Sequence, residues 1–269
     1  MSRALIKSLA VLAIIGMAGI AQAGVMINFG ANANESDTQS PAQALGLITG
    51  TNWNSNIDGD AQAGLVNDDG SDAGLCIDVG IETTGTSQLI SWDWDASNET
   101  LGDHKAATLQ LLGTIYQDNA RSAQFMDEKD GQAVAVRISG LAAGSYDFFV
   151  VSRNTYADAT GPGHDTYDII AGTTTATGDT DYSGFVVAED LDYTTGSNTS
   201  WVENVNYVKI SLDVVDGEDV VLVAEPTNTS NVNGKTEYRG FINMVQIVPE
   251  PTTLALLAIG GLAAIRKRK

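Results

Sequence analysis

The sequence predicts an all-β protein, a sandwich or a barrel, and three observations carry that expectation. Apolar residues come in short runs or in strict alternation, the period of a strand. Gly, Asn, Asp and Thr punctuate those runs, as turn chemistry requires. Helical spacing is confined to one stretch. The strands are expected in this order: "VMINFG" (25–30), "LCIDVGI" (75–81), "LISWDW" (89–94), "AVAVRIS" (133–139) and "SYDFFVVS" (145–152). They continue with "TYDIIAG" (166–172), "GFVVAED" (184–190), "YVKISLDV" (207–214), "DVVLVAE" (219–225) and "FINMVQIV" (241–248). Many short strands at regular spacing suit a sandwich or barrel.

Two connections read as hairpins. "SGLAAGS" (139–145) contains two glycines, and "VVDGEDVV" (214–221) offers Asp216-Gly217 as its turn. The exception to the β pattern is 101–118. Thr108, Leu111, Leu112 and Ile115 share one helical face, which predicts a short helix over about 104–117. The polar stretches 172–181 and 192–200 read as surface loops.

The two ends are not part of this pattern. Arg3 and Lys7 precede an apolar run, Leu9 to Ile20, followed by Ala21-Gln22-Ala23 and then Gly24. A basic start, an apolar middle and an A-x-A site make a secretory signal helix, cleaved after Ala23. At the other end, Thr252–Ile265 is uncharged and apolar or small, and Arg266, Lys267, Arg268 and Lys269 follow. Fourteen helical residues cover about two-thirds of a ~30 Å hydrocarbon core. Terminal bases favour the cytoplasmic side, so the body is expected outside and the last residues inside.

Pro249, Glu250 and Pro251 stand just before this segment. The combination of Pro-Glu-Pro, a short hydrophobic helix and a basic terminus resembles the PEP-CTERM sorting signal. That resemblance implies an exosortase-type processing enzyme as partner. It implies transient anchoring in the inner membrane and a final place on the cell surface, or in the extracellular matrix, of a Gram-negative bacterium. The organisation expected is therefore a signal peptide at 1–23, one sandwich domain at 24–248 and a sorting and transmembrane segment at 249–269.

Composition narrows the function classes. The chain carries 14 basic and 34 acidic residues, a net charge of −20. The two end segments hold six of the bases and one of the acids, so the body is near −25. That charge repels phosphate backbones and disfavours nucleic acid as a partner. Cys76 is the only cysteine, so no intramolecular disulfide forms. Within "GLCIDVGI" it reads as a buried small hydrophobe.

The body resembles jelly-roll domains of the galactose-binding or malectin type. The likeness rests on its opening "INFG", on "AVRISGLAAGSYDFFVVS", and on a closing "YVKISL…DVVLVAEP…RGFINMVQIV". It makes the expected fold an antiparallel jelly-roll β-sandwich with one short helix. It implies carbohydrate binding as a role, and it assigns no ligand residue.

Candidate sites follow from residue chemistry. Hydrolysis by a nucleophile needs a base and an orienting group. The two histidines, His104 and His164, stand in unrelated polar contexts, and no G-x-S-x-G elbow occurs. Two isolated histidines and one cysteine give no zinc spacing. Paired carboxylates could serve a glycan hydrolase, but 33 acids in the body make any pair uninformative.

Calcium wants clustered oxygen ligands. Three stretches supply them: "NSNIDGDAQ" (54–62), "NDDGSDAG" (67–74) and "DWDASNETLGD" (93–103). In the last, Asp93, Asp95 and Ser97 occupy loop positions one, three and five. Asn98 and His104 stand where an EF-hand has Gly and Glu, so a structural Ca2+ here would be of another type. Sugars stack on aromatic faces. Trp92 and Trp94 alternate onto one strand face, expected to be core. Trp53 and Trp201 sit in polar contexts and are the candidate ligand contacts. The expected function is non-catalytic: an exported protein binding or organising exopolysaccharide. The alternatives are a purely structural surface or matrix protein without a discrete glycan site, and a glycan-active hydrolase.

Overall fold

The computed structural model describes residues 23–29, 40–55, 57, 61–83, 87–92, 123–124, 133–152, 167–191, 200–227, 230–232, 235–237 and 241–250. The expected helix at 104–117, both histidines, Trp94, and Asp93, Asp95 and Ser97 lie outside these residues. So do Ala21, Pro251 and the basic terminus.

The first strands are β1 (Val25–Asn28), β2 (Asn54–Ser55), β3 (Gln62–Ala63), β4 (Cys76–Glu82), β5 (Leu89–Ser91) and β6 (Ala123–Gln124). Next come β7 (Val134–Ser139), β8 (Gly144–Val151), β9 (Tyr167–Thr174), β10 (Thr180–Asp181), β11 (Val186–Leu191) and β12 (Val208–Val214). The last are β13 (Asp219–Pro226), β14 (Ser230–Val232), β15 (Lys235–Glu237), β16 (Phe241–Ile242) and β17 (Met244–Pro249). Among the described residues one helix, α1 (Pro41–Ala44), falls between β1 and β2.

Two sheets carry the body. The smaller runs β12-β8-β17-β1-β2 and the larger β10-β5-β4-β7-β13-β9-β11, with β3 against β4. Eight of these strands, β1, β7, β8, β9, β11, β12, β13 and β17, trace a jelly roll. In chain order, the smaller sheet is first–eighth–third–sixth and the larger second–seventh–fourth–fifth. All six contacts within these two sets are antiparallel. The all-β antiparallel sandwich that the sequence predicts is therefore the fold observed, with β3, β4, β5 and β10 widening one sheet.

The interior lies between the sheets. Ile210, Phe148, Ile247 and Val25 form one row across the smaller sheet, and Val208, Val150, Val245 and Ile27 form the next. The larger sheet answers with Ile77, Val79, Val136, Ile138, Leu222 and Ile169, all buried. Period-2 alternation sends these side chains inward and their neighbours outward. The larger sheet also buries part of its outer face. Ala135, Val221, Val223 and Ile170 form a second apolar cluster there with Ile90, Trp92 and Tyr182.

Three connections correct the sequence reading. The segment 139–145 is not a hairpin: β7 pairs β4 and β13, whereas β8 pairs β12 and β17. It carries the chain from one sheet to the other. Gly140 takes φ +91°, where its backbone passes the Gly74 carbonyl. The segment 214–221 likewise links β12 in one sheet to β13 in the other. Its turn is where Asp216-Gly217 predicts, with Gly217 at φ +83° and Glu218 N–H donating to the Val215 carbonyl at 3.1 Å. Finally, 241–248 is two strands. Asn243 breaks the run, its N–H donating to Val151 O (2.8 Å) and its carbonyl accepting from Phe29 N–H (3.0 Å).

Candidate glycan-binding face and sorting segment

Tyr207, just before β12, is buried and belongs to the main core. Lys209, Ser211 and Asp213 alternate along the strand, so they face outward from the smaller sheet. Asp147 on β8 joins them. Its carboxylate takes a 2.8 Å ion pair from Lys209 and a 2.6 Å hydrogen bond from the Ser211 hydroxyl. Ser145 donates to Asp213 at 2.5 Å. Tyr207 packs at 5.9 Å on Phe149 and 6.5 Å from Trp201, the latter edge-on at 76°. An aromatic run therefore leads from the buried Phe149 to Trp201, which is half-buried. Burial and the nearby Glu203 push the Tyr207 hydroxyl above its usual pKa.

The loop presenting Trp201 is tightly tied. Asn206 is buried, accepts from Val202 N–H (2.7 Å) and donates to Ser200 O (2.8 Å). Asn204 adopts φ +60°, a left-handed turn position that Asn tolerates. The loop leaves Val202, Glu203 and Asn204 exposed beside the indole. A flat apolar ring with an exposed carboxylate and amide in its own loop can stack on one side of a sugar and read its hydroxyls.

Trp53 is placed differently from the expectation. It is 8% exposed and belongs to the main core. Its polar neighbours mislead because they serve the backbone. Asn54, itself buried, donates to the carbonyls of Met26 (3.0 Å) and Val66 (2.8 Å) and accepts from Val66 N–H (2.8 Å). A ligand contact at Trp53 does not fit this burial.

Trp92 is core, as its alternation predicts, although β5 ends one residue earlier. Its indole N–H donates to Thr180 at 3.0 Å, and the Arg137 guanidinium lies 4.6 Å above its ring. Cys76 is half-buried at the start of β4 rather than fully enclosed.

The acidic turn 67–74 spends its carboxylates on its own geometry. Asp69 accepts from the Ser71 hydroxyl (2.6 Å) and N–H (2.9 Å), bonds that hold its pKa below the usual value. Asp72 accepts from Gly74 N–H at 2.9 Å. Asp68 turns inward to the N–H groups of Gly24 and Gly50. Among the described residues no three His, Cys, Asp or Glu side chains are grouped to hold a metal ion.

A second charged place lies on the outer face of the larger sheet. Glu82 is buried and accepts from the N–H groups of Gln88 (2.9 Å) and Ala133 (3.3 Å). Glu225 stands directly opposite Asp168 in the β13–β9 register. Burial first, then Glu82 and Asp168, raise the Glu225 pKa. Burial and the same two glutamates raise that of Tyr182. An acid with a raised folded pKa contributes stability at low pH and loses it as pH climbs through that value. Glu225→Gln is therefore expected to raise the urea midpoint at pH 7 and to flatten its decline between pH 4 and 7. A lower midpoint at pH 7 would mean that the carboxylate is held by a cation.

β17 runs past the expected domain edge at 248. Pro249 pairs with Tyr146, and Glu250 N–H donates to Ser145 O at 2.9 Å. From residue 248 the sequence matches a known motif through residue 269. Residues 248–269 carry the PEP-CTERM protein-sorting motif. The PEP-CTERM motif marks an exported chain, held transiently in the membrane and processed by an exosortase. Its first proline is the half-buried last residue of β17, and its glutamate, half-buried too, follows the strand. Only from Pro251 onward does the motif lie outside the described residues. Among the described residues, no helix is long and apolar enough to cross a membrane.

No curated protein matches the chain. Among solved structures it is similar to Xyl-CBM35 in complex with a glucuronic acid-containing disaccharide: 18% identity, 46% of this chain, 70% of that one, TM-score 0.25. It is also similar to BtGH115A, a 4-O-methyl-α-glucuronidase with specificity for decorated arabinogalactans: 17% identity, 57% of this chain, 17% of that one, TM-score 0.28. At such scores the architecture rests on the sandwich's own strand order.

Proposed function

We propose that this exported, exosortase-sorted protein binds or organises extracellular polysaccharide without catalysis, using the outer face of the smaller sheet around Trp201. The observation that carries the reading is the half-buried Trp201 ring, held edge-on against Tyr207 and bordered by exposed Glu203 and Asn204. Stacking supplies affinity because the ring is already ordered by its loop, so little side-chain entropy is lost on binding. Lys209, Asp147, Ser211 and Asp213, further along the same face, would read hydroxyls. The sorting motif supports the reading by delivering the body to the cell surface or matrix, where such polymers are found.

The test is retention of the exported protein on immobilised acidic and neutral polysaccharides. Trp201→Ala is expected to reduce retention at least about tenfold, since truncating an aromatic anchor at the centre of a binding face typically costs about 2 kcal/mol or more. A calcium arm and a chelator arm address whether the 93–103 stretch, with Asp93, Asp95 and Ser97, supplies a bridging or structural Ca2+. Release of soluble oligosaccharide from the polymer would instead favour a glycan-active hydrolase.

A further inference from the structure

We propose that Asp68 is a built-in binding site for a primary ammonium group, the new N-terminus that leader removal creates at Gly24. The proposal rests on the reading of Ala21-Gln22-Ala23 as the cleavage signature. Gly24 N lies 3.0 Å from Asp68 Oδ1 in a buried contact, while Gly50 N–H holds Oδ2 at 2.8 Å. Asp68 N–H returns a 2.7 Å bond to the Gly24 carbonyl, and Val25 bridges Asn67. The first two residues after the cleavage position are thus clamped on the 66–68 segment before β1 enters its sheet. Only glycine fits at 24. A Cβ there would come within 2.8 Å of Ile48 Cδ1 and Cγ1 and 3.0 Å of the Ile247 carbonyl. Ala23 is half-buried.

The charge arrangement is the second, independent observation. Asp68 is 6% exposed, yet the segments packed around it, 23–29, 40–55, 61–75 and 241–250, contain no lysine, arginine or histidine. The ionisable residues of those segments besides Asp68 are acids: Asp69 and Asp72 in the same turn, and Glu250 just after β17. Among the described residues the Asp68 carboxylate meets only neutral amides, which compensate a buried charge incompletely. Hydrolysis of the Ala23–Gly24 bond by a membrane signal peptidase consumes one water. It leaves a carboxylate on Ala23 and an ammonium on Gly24. The group 3.0 Å from Asp68 then changes from a neutral N–H into a cation, and the leader's departure completes the ion pair.

The sign of the pH effect follows from linkage. A free α-amino group titrates near 8. Pairing raises its folded value, so the added stability is complete below about pH 8 and is lost as pH rises through the raised value. The experiment uses the exported, processed chain, with its N-terminus mapped first. The Gly24 amine should titrate about one unit or more above 8. In the processed chain the unfolding constant should then rise about tenfold between pH 7.5 and 10.5. A chain processed to begin at Ala23 should lack that rise, and it remains informative if Asp68→Asn does not fold. In Asp68→Asn the amine should return to about 8. An N-terminus other than Gly24 would overturn the leader reading and the proposal together. A Gly24 terminus that titrates at its ordinary value in the folded chain would overturn the proposal alone.

Discussion

Phe148→Ala is expected to destabilise the sandwich by about 3–5 kcal/mol and to lower Tm by roughly 10–15 °C. Phe148 is fully buried and sits on β8, the strand between β12 and β17. Its row neighbours Ile210 and Ile247 belong to strands paired along their length, and Tyr146 packs at 6.3 Å. Such neighbours cannot collapse into the space a phenyl ring leaves, so the cavity penalty adds to the lost burial. Thermal unfolding followed by near-UV circular dichroism measures it. A shift of less than about 3 °C would mean that the two sheets do not share one packed interior.

Arg137→Met is expected to cost about 3 kcal/mol, because it takes the cation away from a largely buried carboxylate. Arg137 and Asp78 face each other in the β7–β4 register and form an ion pair at 2.5 Å, with side-chain exposures of only 16% and 10%. The same guanidinium covers the Trp92 ring and offsets the burial that raises the Asp219 pKa. The double variant Arg137→Met, Asp78→Leu should recover most of the loss, since a well-packed apolar pair can replace a buried ionic one. Urea unfolding of the three proteins decides it. Equal instability of single and double variants would place the cost in the lost cover over Trp92 instead.

Sequence legibility followed the range of the physics. Alternation is a local property, and it located β7, β8, β9, β12 and β13 within a residue or two. Strand partnership is non-local. The turn residues at 139–145 and 214–221 therefore suggested hairpins where the chain changes sheets. Trp53 was misplaced for a related reason: Asn52 and Asn54 look like solvated loop residues. Instead Asn52 caps the Asp68 carbonyl at 2.8 Å, and Asn54 serves Met26 and Val66. Their partners lie at least a dozen residues away. Helix α1 was overlooked although its signal is local. Ser40 and Gln43 form a capping box around Pro41, and the helix packs against the smaller sheet through Ala42 N–H and Gln246. The role of Asp68 needed the fold, because its two donors come from positions 18 and 44 residues away. The sorting motif was legible because it is read as a linear peptide, whereas the attachment of Pro249 and Glu250 to β8 was not.

The most direct test of the account is retention of the exported protein on immobilised exopolysaccharide, run side by side with Trp201→Ala and Trp53→Phe. The account predicts specific retention that falls at least about tenfold in Trp201→Ala and is unchanged in Trp53→Phe, since Trp53 is core and Trp201 is the accessible ring. Retention that is absent on every polymer, or that survives Trp201→Ala intact, would contradict it.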